Sequence, residues 1–288
     1  MYKGHRIGPD RFDRGQIKIY IILLPIAIFM LLPLVFIFCH AFKPMEELFA
    51  FPPKFYVVNP TFKNFSNLMQ SARTAGIPLS KYVFNSLFVT IIVVAANVII
   101  STMAGFALSK MEFKLRDGIF NLNQAALMFV PAAVMIPRYL IINTLQITNT
   151  YWAHILPLLA APVSLFLIKQ FIDGVPNALL EAASIDGATP LRIYWKVIIP
   201  LVKPAIATGM ILSFQQVWGY LDSSNLYVNT DGMKTLAFYM STLANANNAV
   251  AGQGIAAAAS LIMFIPNLIL FIVVQKDVMN TMASSGIK

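Results

Sequence analysis

The sequence predicts an all-α polytopic membrane protein with six transmembrane helices, and three observations carry that reading. Hydrophobic residues make up 58% of the 288 positions and charged residues 11%, whereas ordinary soluble domains carry about 25% charged residues. Several segments continue for about 18 residues or more almost without Asp, Glu, Lys or Arg, and a bilayer core about 30 Å thick takes roughly 20 such residues per helix. The apolar runs lack the two-residue alternation of a barrel, and in hydrocarbon a helix pairs its own N–H and C=O groups.

Taken in order, the runs place spans at about 17–42, 84–109, 122–143, 152–171, 199–219 and 254–275. Lys3, Arg6, Arg11, Arg14 and Lys18 precede the first run as they would in a secretory signal. That run continues from Ile19 to Phe42 with no clear small-residue cleavage site, so an uncleaved first span is expected. Cys39, the one cysteine, lies inside it and has no internal partner for a disulfide.

The net charge of +9 is scattered over short segments between spans, which fits a membrane surface and not nucleic acid. Lys and Arg are enriched near spans on the cytoplasmic side. With the N-terminus inside, fourteen of the 21 fall there: the five named above with Lys110, Lys114, Arg116, Lys169, Arg192, Lys196, Lys203, Lys276 and Lys288. Five of the rest sit in the long, proline-containing segment 43–83, which reads as a folded outer loop. Both termini are thus expected in the cytoplasm. Pro25, Pro33, Pro131, Pro137, Pro157 and Pro266 should bend or interrupt their helices, as ordinary kinks or as gating hinges.

The most informative stretch joins spans four and five. Pro176 suits the first turn of a helix, and Ala178 to Ala183 are mostly strong helix formers. Gly187 is placed to end that helix in a left-handed conformation, and Thr189 to cap a second helix starting at Pro190. The small residues Ala182, Ala183 and Ala188 allow close approach by a partner groove, with Glu181 and Asp186 at its edge. The same composition also suits an interfacial helix that merely connects two spans.

Glu181-Ala182-Ala183, three residues, Gly187, and then Ile199-Pro200 resemble the E-A-A, x-x-x, G, spacer, apolar-P signature of permease subunits of ATP-binding-cassette importers. The run from Glu181 to Ala188 is similar to the carbohydrate permeases of the maltose-permease G-subunit type. The resemblance extends from about Tyr82 to Lys288, through Asn85-Ser86-Leu87, Ala104 to Lys110 with Phe113, Met128-Phe129-Val130-Pro131, Ile136-Pro137, Gln170-Phe171, Val175-Pro176, Lys203-Pro204-Ala205, Trp218, Gly254 with Ala256 to Ala259, Pro266, Gln275-Lys276 and Gly286-Ile287-Lys288. After Trp218 the family often shows N-x-F, where this chain has Gly219-Tyr220-Leu221-Asp222.

The resemblance implies the type I importer permease fold as one transmembrane domain over 1–288, with a core at about 82–280 and a cytoplasmic coupling helix at about 176–190. That helix, with Glu181, Ala182, Ala183, Asp186, Gly187 and Ala188, would dock in a cleft of an ATPase subunit, Glu181 facing a basic residue there. The implied partners are a second permease, two cytoplasmic ATPase subunits and an extracytoplasmic solute-binding protein, at the bacterial cytoplasmic membrane. The implied solute is an oligosaccharide, or alternatively a polyol or glycerol phosphate ester. The chain has no G-x-x-x-x-G-K loop, so ATP and magnesium are expected on the ATPase partners and no cofactor on this chain.

Other residues have two readings each. Arg138 either lines a pathway and holds an acidic group, or snorkels to the interface. Ser213, Gln215, Gln216, Asn97 and Ser101 either bond a hydroxyl-rich solute or join helices, and Trp218 and Phe214 either stack on sugar rings or pack in the bundle. His5, His40 and His154 form no i, i+4 pair and read as hydrogen-bonded structural histidines, with no metal site expected. An ion-coupled secondary transporter would want paired ionisable residues at the midplane, and a membrane-embedded enzyme a cluster of His, Asp, Ser or Cys in the spans. Neither pattern is present in the sequence.

Overall fold

The computed structural model describes residues 16–52, 54–74, 76–246 and 250–285. The basic residues Lys3, Arg6, Arg11 and Arg14, His5, and the Gly286-Ile287-Lys288 tail lie outside the described residues. Among the described residues the regular structure is helical. It begins with α1 (Gln16–Phe42), α2 (Met45–Leu48), α3 (Lys63–Thr74) and α4 (Leu79–Lys110). Then come α5 (Arg116–Leu127), α6 (Met135–Thr144), α7 (Tyr151–Ile155), α8 (Pro162–Asp173) and α9 (Asn177–Ile185). Next are α10 (Pro190–Ile193), a π segment Tyr194–Ile198, α11 (Ile199–Leu201) and α12 (Lys203–Trp218). A π segment Ser223–Tyr227 and a 3₁₀ turn Asp231–Met233 precede α13 (Leu236–Ala246) and α14 (Val250–Ser285).

Among the described residues three helices are long and apolar enough to cross a membrane, Ile19–Phe42, Leu79–Lys110 and Gly252–Lys276, and three bent pairs bring the number to six if each pair is one span. The expected third, fourth and fifth spans are therefore not continuous helices. They bend by 110°, 41° and 80° between Leu127 and Pro131, Leu158 and Pro162, and Leu201 and Lys203. Proline explains each break. Val130 and Ala161, each before a proline, are pushed out of the helical region (ψ 129 and ψ 75), and Pro204 at the start of α12 has no N–H to continue the preceding turn. Of the prolines expected to act, Pro131 and Pro157 lie in 3₁₀ turns and Pro137 in the first turn of α6. At Pro25, Pro33 and Pro266 the helices are not interrupted, since α1 and α14 run through them.

The chain forms two compact units, residues 1–68 with 247–261, and 69–246 with 262–288. In the first, Ala41, Ala257 and Ala258 form a core flanked by Phe42, Phe65 and Leu261. Buried Asn64 donates to the carbonyls of Ala41 (3.0 Å) and Lys43 (2.8 Å), supplying partners at the end of α1 where the helix leaves carbonyls unpaired. Glu47 organises the following loop by accepting the backbone N–H groups of Val58 (2.9 Å) and Asn59 (2.7 Å). Those bonds, Val58's foremost, hold its carboxyl below the usual range.

The second unit is built on α4, α8 and α12, which pack on one another. Gly105 lets α4 approach α8 closely: a Cβ there would stand 3.3 Å from the Ile168 side chain. Val89, Val93, Ile155, Leu158 and Val217 form one apolar cluster. Broken helices leave carbonyls that must find other donors. Asn97 donates to Leu158 O at the fourth-span break (3.1 Å); on the unbroken α14, Met263 O accepts Trp218 Nε1 (2.9 Å), a tie between α12 and α14. Asn97, Ser101 and Ser213 are all buried, and Asn97 joins helices by donating also to Ser213 Oγ (3.4 Å).

Candidate functional site

The connection 174–202 folds as the local sequence dictates. Pro176 is the residue preceding α9, one position before the expected first turn. The helix ends in a Schellman motif: Gly187 takes φ +77, its N–H donates to Ser184 O (3.0 Å), and Ala188 N–H donates to Ala183 O (3.0 Å). Thr189 then caps α10, its hydroxyl accepting Arg192 N–H at 3.4 Å, with Pro190 in the first position.

This geometry gives α9 two unlike faces. Leu180, Ala183 and Ala188 pack against a buried cluster of Phe106, Ile168, Ile172, Ile193, Tyr194 and Ile198. Ala178, Glu181, Ala182 and Ile185 recur at helical spacing and are all exposed, Ile185 at 87%. Asp186 and Gly187 extend that open surface. Glu181, Ile185, Leu180 and Ser184 also edge an open groove of about 580 Å³ against Phe106, Lys110 and Met111. The resemblance named Glu181 and its alanines but missed Ile185, although its place one turn after Glu181 marks it as part of the same stripe.

Three further side chains that sequence reasoning missed fasten this connection to α4. Lys110 Nζ donates to Val175 O (2.6 Å) and Asn177 Oδ1 (2.9 Å). Ser109 donates to Asp173 Oδ1 (2.6 Å), whose other oxygen pairs with Lys169 at 2.8 Å. Buried Tyr194 lies 2.7 Å from Thr102 Oγ1. Because the Thr102 hydroxyl donates to Val98 O (2.7 Å), Tyr194 is the donor of that pair.

The residues considered for a solute pathway are not brought to α9. Arg138 on α6 donates to Tyr220 Oη (2.8 Å), just past the end of α12. The 16 residues of α12 put that contact about 24 Å along the helix from its start near the connection. Arg138 makes none of the three ion pairs among the described residues. Gln215 and Gln216 are exposed on α12. Trp218 is 3% exposed, stacked on Phe214 at 5.5 Å and committed to Met263 O, so it packs in the helices and presents no free ring face. His154 is buried between Ser223 Oγ (2.8 Å) and Met233 O (3.1 Å), a structural tie between α7 and the 223–233 segment.

The family profile described as the binding-protein-dependent transport system inner membrane component matches residues 97–276. The arabinooligosaccharides transport system permease protein AraQ of Halalkalibacterium halodurans is 30% identical over 91% of this chain and 93% of its own. The sulfoquinovosyl glycerol transport system permease protein SmoH of Agrobacterium fabrum is 27% identical over 90% of this chain and 89% of its own. A crystal structure of a bacterial ABC transporter that imports the acidic polysaccharide alginate has a chain with the same fold, with TM-score 0.77 and 22% identity over 92% of this chain and 98% of that one. With the matched profile covering the connection and the α4, α8 and α12 packing around it, this chain belongs to the family of binding-protein-dependent transport system inner membrane components.

Proposed function

We propose that this chain is the membrane-spanning permease subunit of an ATP-driven importer, and that it moves an oligosaccharide across the cytoplasmic membrane. The observation that carries the reading is α9: a Schellman-capped helix whose inner face is locked in the core while Ala178, Glu181, Ala182 and Ile185 face outward together. A short helix that presents small residues around one apolar and one acidic side chain fits a groove in a partner. Named relatives that carry arabinooligosaccharides and sulfoquinovosyl glycerol support a sugar-containing solute.

In this reading a second permease completes the pathway, two ATPase subunits bind ATP and magnesium, and a solute-binding protein delivers the sugar. Both termini lie in the cytoplasm. Closure of the ATPase pair moves α9 in each permease, and the spans re-orient between inward-open and outward-open states. Glu181 anchors the docked helix to a basic residue of the ATPase, a charge-assisted contact. Glu181→Lys in the assembled complex should abolish solute-stimulated ATP hydrolysis while leaving membrane insertion intact. Unaltered transport by that variant would remove Glu181 from the anchor role.

A further inference from the structure

Of the four candidate spans that lie wholly within the second unit, α4 alone is unbroken; the other three each bend by 41° or more. Its 32 residues make a rod about 48 Å long. At one end it holds both sides of the 174–202 connection: Lys110 takes Val175 O ahead of α9 and Asn177 at its first position, and Thr102 takes Tyr194 beyond it. Phe106, between those two positions on α4, fills the space against Tyr194 with ring centroids 5.8 Å apart.

The other end of α4 is tied just as specifically. Asn85, fully buried, donates to Gly232 O and Lys234 O, each at 2.9 Å, and its own oxygen accepts the Tyr151 hydroxyl at 2.8 Å. Ser86 Oγ accepts Leu236 N–H at 2.7 Å, and Tyr82 stacks on Tyr239 at 4.7 Å. The segment 231–236 is thus fixed to α4 by backbone bonds that a side chain on α4 controls.

Bends absorb displacement, whereas an intact helix tied at both ends transmits it. We propose that α4 carries movement of the 174–202 connection to the 231–236 segment at its far end. In this role Lys110, Thr102 and Tyr194 are positioning residues at one end, and Asn85 and Ser86 at the other. The position of 231–236 then reports the nucleotide state of a partner on the opposite side of the membrane. This rests on the reading that the connection docks on an ATPase.

The physical requirement is a two-state element that both sites bias, which is what a test must detect. Thr230, exposed and next to the segment, accepts a fluorophore after Thr230→Cys in a Cys39→Ser background, since Cys39 is the one native cysteine. The complex, purified with its native partners and reconstituted in lipid, is trapped with ATP and vanadate, and label emission and trapped nucleotide are read together. The parent complex should show a nucleotide-dependent emission change. Combining Lys110→Gln with Tyr194→Phe should shrink the change per trapped nucleotide about fivefold or more, the effect of losing a bond worth about 1 kcal/mol.

Asn85→Ala, at the far end, should do the same, whereas Lys110→Arg and Thr102→Ser retain the change. Should the Tyr194 variant fail to assemble, Thr102→Val removes the same tie from the α4 side. An undiminished emission change in the loosened variants, or none in a parent complex that traps nucleotide, overturns the rod. Absence of any ATPase from the purified complex overturns the docking reading beneath it.

Discussion

Replacing Gly187 tests how the backbone presents α9. The residue has φ +77, and nothing lies within 4 Å of the place a Cβ would occupy, so a substitution there meets backbone strain and no steric clash. For alanine the strain is about 1 kcal/mol, rising with β-branching. Opening the cap instead would forfeit the bonds from Gly187 N–H and Ala188 N–H to Ser184 and Ala183, together about 2 kcal/mol. Gly187→Ala should therefore keep the motif, costing about 1 kcal/mol of stability while leaving the docking constant within about twofold, because the strain is the same free and docked. Gly187→Val should open the motif, and Gly187→Asn, whose side chain tolerates the left-handed region, should come nearest the parent. Solute-stimulated ATP hydrolysis against ATPase-subunit concentration reads the docking constant. Equal losses for Asn and Val would refute the argument, because they differ in the left-handed cost and not in the space available.

Ile185→Asp should leave thermal stability within about 0.5 kcal/mol, since the side chain is 87% exposed, yet weaken ATPase capture by about 2 kcal/mol or roughly thirtyfold if it fills a partner pocket, as pull-down titration would show. The Glu47 carboxyl has a folded pKa below the usual 4.5, chiefly through the Val58 bond. The order it gives to 45–59 is accordingly full above the usual value and lost as pH falls through the folded one. Hydrogen exchange of that segment should accelerate beyond the intrinsic pH trend in acid, and Glu47→Gln should abolish the pH dependence. Trp218→Phe removes one of two side-chain donors to Met263 O and leaves Asn267 Nδ2 at 3.1 Å, so the loss should lie near 1 kcal/mol in thermal unfolding in detergent.

The α9 cap was legible because its signals are local: proline before the helix, glycine after it and threonine beyond act within a few residues of themselves. The first span was legible to within a residue, since α1 is uniformly apolar. The break at Leu201–Lys203 was not, because Val202 is itself apolar and hydropathy averages across it, whereas Pro157 marked the one at Leu158–Pro162. What makes such breaks tolerable is equally remote, Asn97 reaching Leu158 O from 61 positions away. The same holds for the site. Lys110 meets Asn177 across 67 positions and Thr102 meets Tyr194 across 92. No spacing rule links such pairs. Trp218 shows the converse: its residue type suits a sugar platform, and only its buried bond to Met263 reveals the structural use.

The central claim, a permease moved by ATP through α9, is tested most directly by solute uptake into proteoliposomes. They would hold the complex recovered with the tagged chain from native membranes, with its binding protein outside. Uptake that requires ATP in the lumen and disappears with Glu181→Lys is the predicted result. Uptake that proceeds without ATP, driven by an imposed ion gradient and indifferent to Glu181, would contradict the account and make the chain a secondary transporter.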